Sequence, residues 1–241
     1  VSAVGYLVKP VRPEHLTEKV VIVDGQPGCG KTMLSPIVGA LDRVELMTYA
    51  YPLEYICALH AIGKVTNDAA MTMARMLTDL QLYDTMMARS TNFRPSDLSS
   101  AFRSSHSLRY LRRLFHGGDA AVPGRIATER PILHLTTHNL LSHAEPIAAG
   151  LGSRVVFLEV IRHPLYMLKQ QALNMERLHD NVRHFTLYFR YGSQRLPYFA
   201  YGWEDVFINA NAVERAIYSM QHLAQRAAAM RVRCAERGAK V

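Results

Sequence analysis

Residues 25–32 read Gly-Gln-Pro-Gly-Cys-Gly-Lys-Thr and fit G-x-x-x-x-G-K-[ST] at every fixed position. The chemistry open to such a stretch is capture of a phosphate group. Glycines let backbone N–H groups turn inward around phosphate oxygens, and a helix starting after them adds positive potential at its N-terminus. Lys31 supplies a charge, and the Thr32 hydroxyl can hold Mg²⁺. The candidate ligand contacts are therefore Gly25, Gln26, Pro27, Gly28, Cys29, Gly30, Lys31 and Thr32. A bare glycine turn has no use for the Lys-Thr ending. Cys29, two residues from Lys31, could be a low-pKa thiol, but a small residue at a variable loop position is the plainer reading.

Three further groups could carry chemistry. Thr136-Thr137-His138 ends a predicted strand, where a histidine can face a ligand crevice and act as general base. Ordinary packing is the competing reading, because the chain holds eleven histidines. Arg162-His163-Pro164 follows a second predicted strand; the arginine can clamp a phosphate bidentately, and Pro164 suits the start of a helix. Trp203-Glu204-Asp205 could be a turn with a helix cap, or part of a polar network.

The elements that must position these groups follow from pattern. Residues 20–24 form an apolar run expected as a buried parallel strand, and residues 33–41 form a helix. A second short strand is expected over 43–47 and helices over 52–63 and 66–87, the latter rich in methionine for packing. Residues 89–130 read as irregular, broken by a basic helix at 107–116. Their arginines (Arg103, Arg109, Arg112, Arg113, Arg125, Arg130) suit either a solvated face or an anion-binding lid or acceptor wall. Strands return at 131–136 and 154–161, helices at 142–151, 164–178 and 212–237, and residues 183–203 are rich in aromatics. Alternating strands and helices predict a three-layer, doubly wound α/β fold with a mostly parallel sheet. The expectation is one domain over 1–241, with a helical insertion at about 52–130 shaping the acceptor side, and the site at the carboxyl edge of the sheet.

Composition sets bounds. A chain of 241 residues with 49% apolar content can bury a full core. No apolar run reaches the length of a membrane span. The net charge of +8 favours anionic ligands, and nucleotides account for it as well as nucleic acid would. Neither zinc-finger spacing nor an aromatic RNA-binding signature is present, so nucleic acid is not an expected partner. Three well-separated cysteines (Cys29, Cys57, Cys234) point to a reducing, cytoplasmic compartment without a disulfide framework.

The order of these features resembles the sulfotransferase superfamily, which shares the P-loop fold. The likeness runs over about residues 20–47 and 131–225 and rests on the phosphate loop, Thr-Thr-His at a strand end, a strand followed by Arg-x-Pro, and an aromatic-Glu-Asp element. It implies that the loop, with Lys31 and Thr32, holds the 5′-phosphosulfate end of PAPS, that His138 is the catalytic base, and that Arg162 binds the 3′-phosphate. The chain departs from that family in carrying a full Gly-Lys-Thr ending, Gln170 where a serine is expected eight residues after the arginine, and only Arg237-Gly238 of a late Arg-Lys-Gly element.

Two other classes share the loop. The ending Gly-x-Gly-Lys-Thr also looks like the loops of nucleoside and nucleotide kinases, where Lys and Mg²⁺ stabilise a transferring phosphoryl group of ATP. Glu159, with Thr32, is then the expected magnesium ligand, and Asp24, Glu45 and Glu54 are further candidate carboxylates. A nucleotide-binding module that transfers nothing is the third class. The first expectation is sulfuryl transfer from PAPS to a hydroxyl or amine of a small molecule or glycan.

Overall fold

A run as rich in β-branched residues as Val20-Val21-Ile22-Val23 is stable only where both faces of a strand are covered. The computed structural model describes residues 8–178 and 184–241, and in it this run, as Lys19–Asp24 (β1), is central in a sheet. Its companions are Thr48–Tyr49 (β2), Ile132–Thr136 (β3) and Val155–Glu159 (β4). All pairs are parallel and the order is β2-β3-β1-β4. The register aligns Val23 with Thr136 and Asp24 with Glu159, so β1, β3 and β4 finish together at one carboxyl edge. Residues 1–7, and residue 183 of the aromatic stretch, lie outside the described residues.

Helices cover both faces of the sheet. Lys31–Gly39 (α1) packs Leu34 and Val38 on Val21 and Val23. The opposite face, with Val20, Ile22, Leu133 and Phe157, is covered by Tyr51–Ala61 (α2), Asn67–Met86 (α3) and Glu145–Leu151 (α6). The long Ala212–Glu236 (α9) joins them through Ala227 and Met230. Side chains of this size contribute about 1.5–3 kcal/mol each when fully buried. A capping box on Asn211 and Glu214 starts α9. Pro164–Glu176 (α7) lies against α9 and reaches the loop after β1. The aromatic stretch folds as a hairpin, Tyr188–Tyr191 (β5) and Gln194–Pro197 (β6), followed by Glu204–Asn209 (α8). Trp203 stands at the N-terminus of α8 with no side-chain cap.

Two expectations along the middle of the chain change. The strand expected at 43–47 is split: Val44 makes a single bridge to Ile132, and pairing resumes at Thr48 and Tyr49. Between these contacts Glu45 turns its carboxylate inward onto Arg113. Residues 89–130 are also less irregular than expected. They hold Ser107–Arg113 (α4) and Val122–Glu129 (α5), the second carrying Pro123 in its first turn, where proline is tolerated.

Four arginines of this segment are held by contacts within the fold. Arg113 makes a buried, two-pronged pair with Glu45 at 2.7 and 2.9 Å. Arg109 caps the Val44 carbonyl, Arg125 the Met86 carbonyl, and Arg130 pairs with Glu18. Val44 and Ile132 mark the amino edge of the sheet, opposite the glycine loop. No residue from 103–130 lines either of the two cavities at the carboxyl edge. Of the insertion, α2 alone reaches the cavity beside His138.

Candidate functional site

The loop between β1 and α1 takes its shape from glycines that no other residue could replace without strain. Gly25 and Gly28 have φ of 148° and 83°. A Cβ on Gly25 would meet the Val160 carbonyl at 2.5 Å, and one on Gly28 would meet the Gln170 amide oxygen at 2.8 Å. α1 then begins with no side-chain cap and no acidic residue in its first turn. Its opening N–H groups and its positive dipole end are left for a ligand.

Four consecutive loop carbonyls are tied by side-chain donors. Lys31 Nζ donates to the carbonyls of Gly25 (2.6 Å) and Gln26 (3.1 Å). Gln171 donates to Pro27 (2.7 Å), and Arg162 to Gly28 (3.1 Å). These contacts fix the orientation of the peptide planes before any ligand arrives. Lys31 is buried, and burial pulls its pKa below the usual lysine value against the pull of Cys29, Asp24 and Glu54. Its ammonium lies 3.9 Å from the Cys29 sulfur. Thr32 is exposed at the start of α1.

The turn after β3 is bolted to the same loop. Asp24, buried at the end of β1, accepts from the Thr137 hydroxyl (2.8 Å) and from the backbone N–H groups of Leu140 (3.0 Å) and Leu141 (2.7 Å). Asn139, at φ 57°, donates its N–H to the Gly25 carbonyl. His138 is thereby held beside the glycine loop. Its N–H donates to Glu54 Oε1 at 2.9 Å, and its Nδ1 lies 3.3 Å from the same oxygen. The tautomer that satisfies this contact carries its proton on Nδ1 and leaves the Nε2 lone pair free. The ring lies against both Tyr49 and Tyr51, with centroids at 6.3 and 6.0 Å and interplanar angles of 7° and 15°, and the two tyrosines are 6.1 Å from each other, so the three rings form one near-parallel cluster.

His138 and Glu54 open onto a cavity of 290 Å³ that also touches Gln26 and Pro27 of the loop and is walled by Tyr51, Tyr55, Phe185, Tyr198 and Phe199. A second cavity of 490 Å³ lies between α7, α9 and the end of β4. Gln26 borders both and donates to the Met220 carbonyl of α9 at 3.1 Å, standing as the partition between them.

The remaining expected residues are placed as follows. Arg162 is exposed, bonded to Gly28 and stacked over Tyr166 at 5.7 Å. Gln170, eight residues on, converges on the same glycine. Glu159 is held by Arg231 at 2.8 Å. Of the four candidate carboxylates, Asp24 holds a turn, Glu45 pairs with Arg113 at the far edge, Glu54 serves His138 and Glu159 answers Arg231. Thr32 therefore has no uncommitted carboxylate among them to share a magnesium ion, and that donor set fits the ion poorly. Sequence reasoning missed the link from Glu54 to His138 and the one from Gln171 to the loop. Both join residues more than eighty positions apart, and no local pattern signals them.

Comparison with known proteins finds no matching family model, no matching curated protein and no matching solved structure.

Proposed function

We propose that this chain is a nucleotide-dependent group transferase with the P-loop fold, similar to sulfotransferases, that moves a sulfuryl group from PAPS to a hydroxyl or amine of a small molecule or glycan. The observation that carries the reading is the pairing of two sites across one cavity. A glycine loop built for phosphate stands on one side, and a histidine with a free Nε2, oriented by a carboxylate, stands on the other. Arg162 and Gln170 meet at Gly28, which gives the donor a second anionic contact beside the loop.

In this reading His138 Nε2 takes the proton from the acceptor hydroxyl as its oxygen bonds to sulfur and the bond from sulfur to the phosphate oxygen breaks. Lys31 releases its carbonyl partners to meet the charge left on that phosphate, and the first N–H groups of α1 share it. Glu54 holds the imidazole and stabilises the imidazolium that forms. The kinase reading keeps one observation in its favour, the exposed Thr32 directly after Lys31. The committed carboxylates weigh against it.

Thermal unfolding with adenosine 3′,5′-bisphosphate and, separately, with ATP plus Mg²⁺ tests the choice, since a ligand bound only by the folded state raises the melting temperature. A shift with the bisphosphate alone is expected. His138→Ala should then lose turnover while keeping that shift. A Mg²⁺-dependent shift with ATP alone would replace sulfuryl with phosphoryl transfer, and no shift with either would leave a non-catalytic module.

A further inference from the structure

Taking the cavity beside His138 as the acceptor site, an assignment that rests on the transferase reading, we infer that it selects a single-ring compound carrying an ammonium group and rejects carboxylates and phosphate esters. The charge layout carries this. Among the described residues, the two cations bonded to the loop stand on the donor side: Lys31 inside the loop and Arg162 against Gly28. On the acceptor side, among the described residues, no lysine or arginine lines the cavity, and Glu54 is the carboxylate that does.

Glu54 is also unusual among the paired carboxylates. Glu18, Glu45, Glu145 and Glu159 each face an arginine. Glu54 has only His138, through one oxygen, and its side chain is 12% exposed. A neutral imidazole leaves that charge without an ion-pair partner in contact, the Lys31 ammonium acting on it only at longer range. The tyrosines respond to it: burial, and after it Glu54, raises the pKa of both Tyr51 and Tyr55.

The walls around this charge are aromatic. Tyr51 stacks on His138, lies 6.3 Å from Tyr55 and meets Phe185 at 6.0 Å, tilted by 56°. The Tyr55 hydroxyl is tied to the Phe185 carbonyl at 2.7 Å, which holds the two sides of the wall together. Ring faces beside a partly desolvated carboxylate attract a cation twice over, through the ring quadrupole and through the charge. The volume of 290 Å³ is at the small end for ligand pockets, which limits the guest to about one ring.

The test is calorimetric binding of three probes of equal ring size to the full chain without nucleotide: tyramine, p-cresol and 4-hydroxyphenylacetate. Tyramine should bind about tenfold more tightly than p-cresol, the size of one desolvated cation–aromatic contact. The carboxylate should bind most weakly. Glu54→Gln should bring tyramine down to the level of p-cresol. Equal binding of all three probes, tighter binding of the carboxylate, or no binding of any would overturn the inference. Should Glu54→Gln not fold, the ranking in the parent protein still decides. A preserved ranking with no bisphosphate shift and no transfer would sink the transferase reading and leave the cavity an ammonium site.

Discussion

Acidification should strip stability from this fold through two buried histidines. His134 sits inside β3 with no exposure, and His143 lies under the turn that Asp24 holds, at 6%. Burial pushes both pKa values down to about 4, against an ordinary value of 6.5. For His134 only the Glu45 backbone favours the charged form; for His143 the nearby Asp24 favours it and Arg226 opposes it. The unfolded chain therefore binds these protons more readily than the folded one. Stability is undiminished above pH 6.5 and is lost as pH falls from there towards 4. The full gap is worth about 3.4 kcal/mol per histidine, and the part lost by about pH 5 is roughly 2 kcal/mol each, or about 4 together. His15 and His222, also lowered by burial, act in the same direction. Urea unfolding followed by circular dichroism at about pH 7.5 and about pH 5 measures the loss. Carboxylates contribute little over that interval because most titrate below it. His134→Leu and His143→Gln should each remove about half of the pH dependence. A stability that is flat across the interval, or variants that keep the parent slope, would refute the assignment. The effect reaches function as well: protonating His143 loosens the turn that carries His138.

Two further outcomes follow from the site and its far edge. Lys31→Ala should abolish the bisphosphate-induced rise in melting temperature while leaving the ligand-free protein folded, because the burial cost of the ammonium offsets much of what its two carbonyl contacts contribute. Arg113→Met should destabilise the fold by about 3–5 kcal/mol by leaving Glu45 buried without its main partner. The double variant with Glu45→Gln should recover part of that in urea unfolding, and neither should alter the bisphosphate shift, since the pair lies at the opposite edge of the sheet.

Where the sequence was legible, one local rule decided the outcome. β1, α1, α7 and α9 lie within a few residues of their expected bounds because continuous β-branched runs, a glycine loop, a first-turn proline and a helical period each act over short range. The glycine loop and His138 come together at the carboxyl edge as the strand order requires. Illegible parts depended on distant partners. The split of β2 reflects a glutamate whose destination is an arginine sixty-eight residues away. The hairpin at 188–197 was hidden because Phe189 and Leu196 pack into the small core around Trp203 and Phe207 while the flanking Phe185, Tyr198 and Phe199 line the cavity, so one aromatic-rich stretch serves two ends. The partner of His138 could not be read, because Glu54 sits in a helix whose own pattern explains it as a polar face residue.

Net charge alone does not locate a charged guest. A chain at +8 invites the expectation of an acidic guest, yet a total says nothing about which cations are free. Arg113, Arg130, Arg231 and Arg237 are each spent on a glutamate, and Arg109 and Arg125 on backbone carbonyls. At the carboxyl edge Lys31 and Arg162, bonded to loop carbonyls, lie with an uncapped helix start on one side, and Glu54 lines the cavity on the other. In the proposed transferase such a layout would separate two guests by charge before either is contacted in detail: Glu54 would repel an anionic donor from the acceptor cavity, and Lys31 would repel an ammonium-bearing acceptor from the loop. On that reading the two guests meet at the boundary between the sites, where His138 stands.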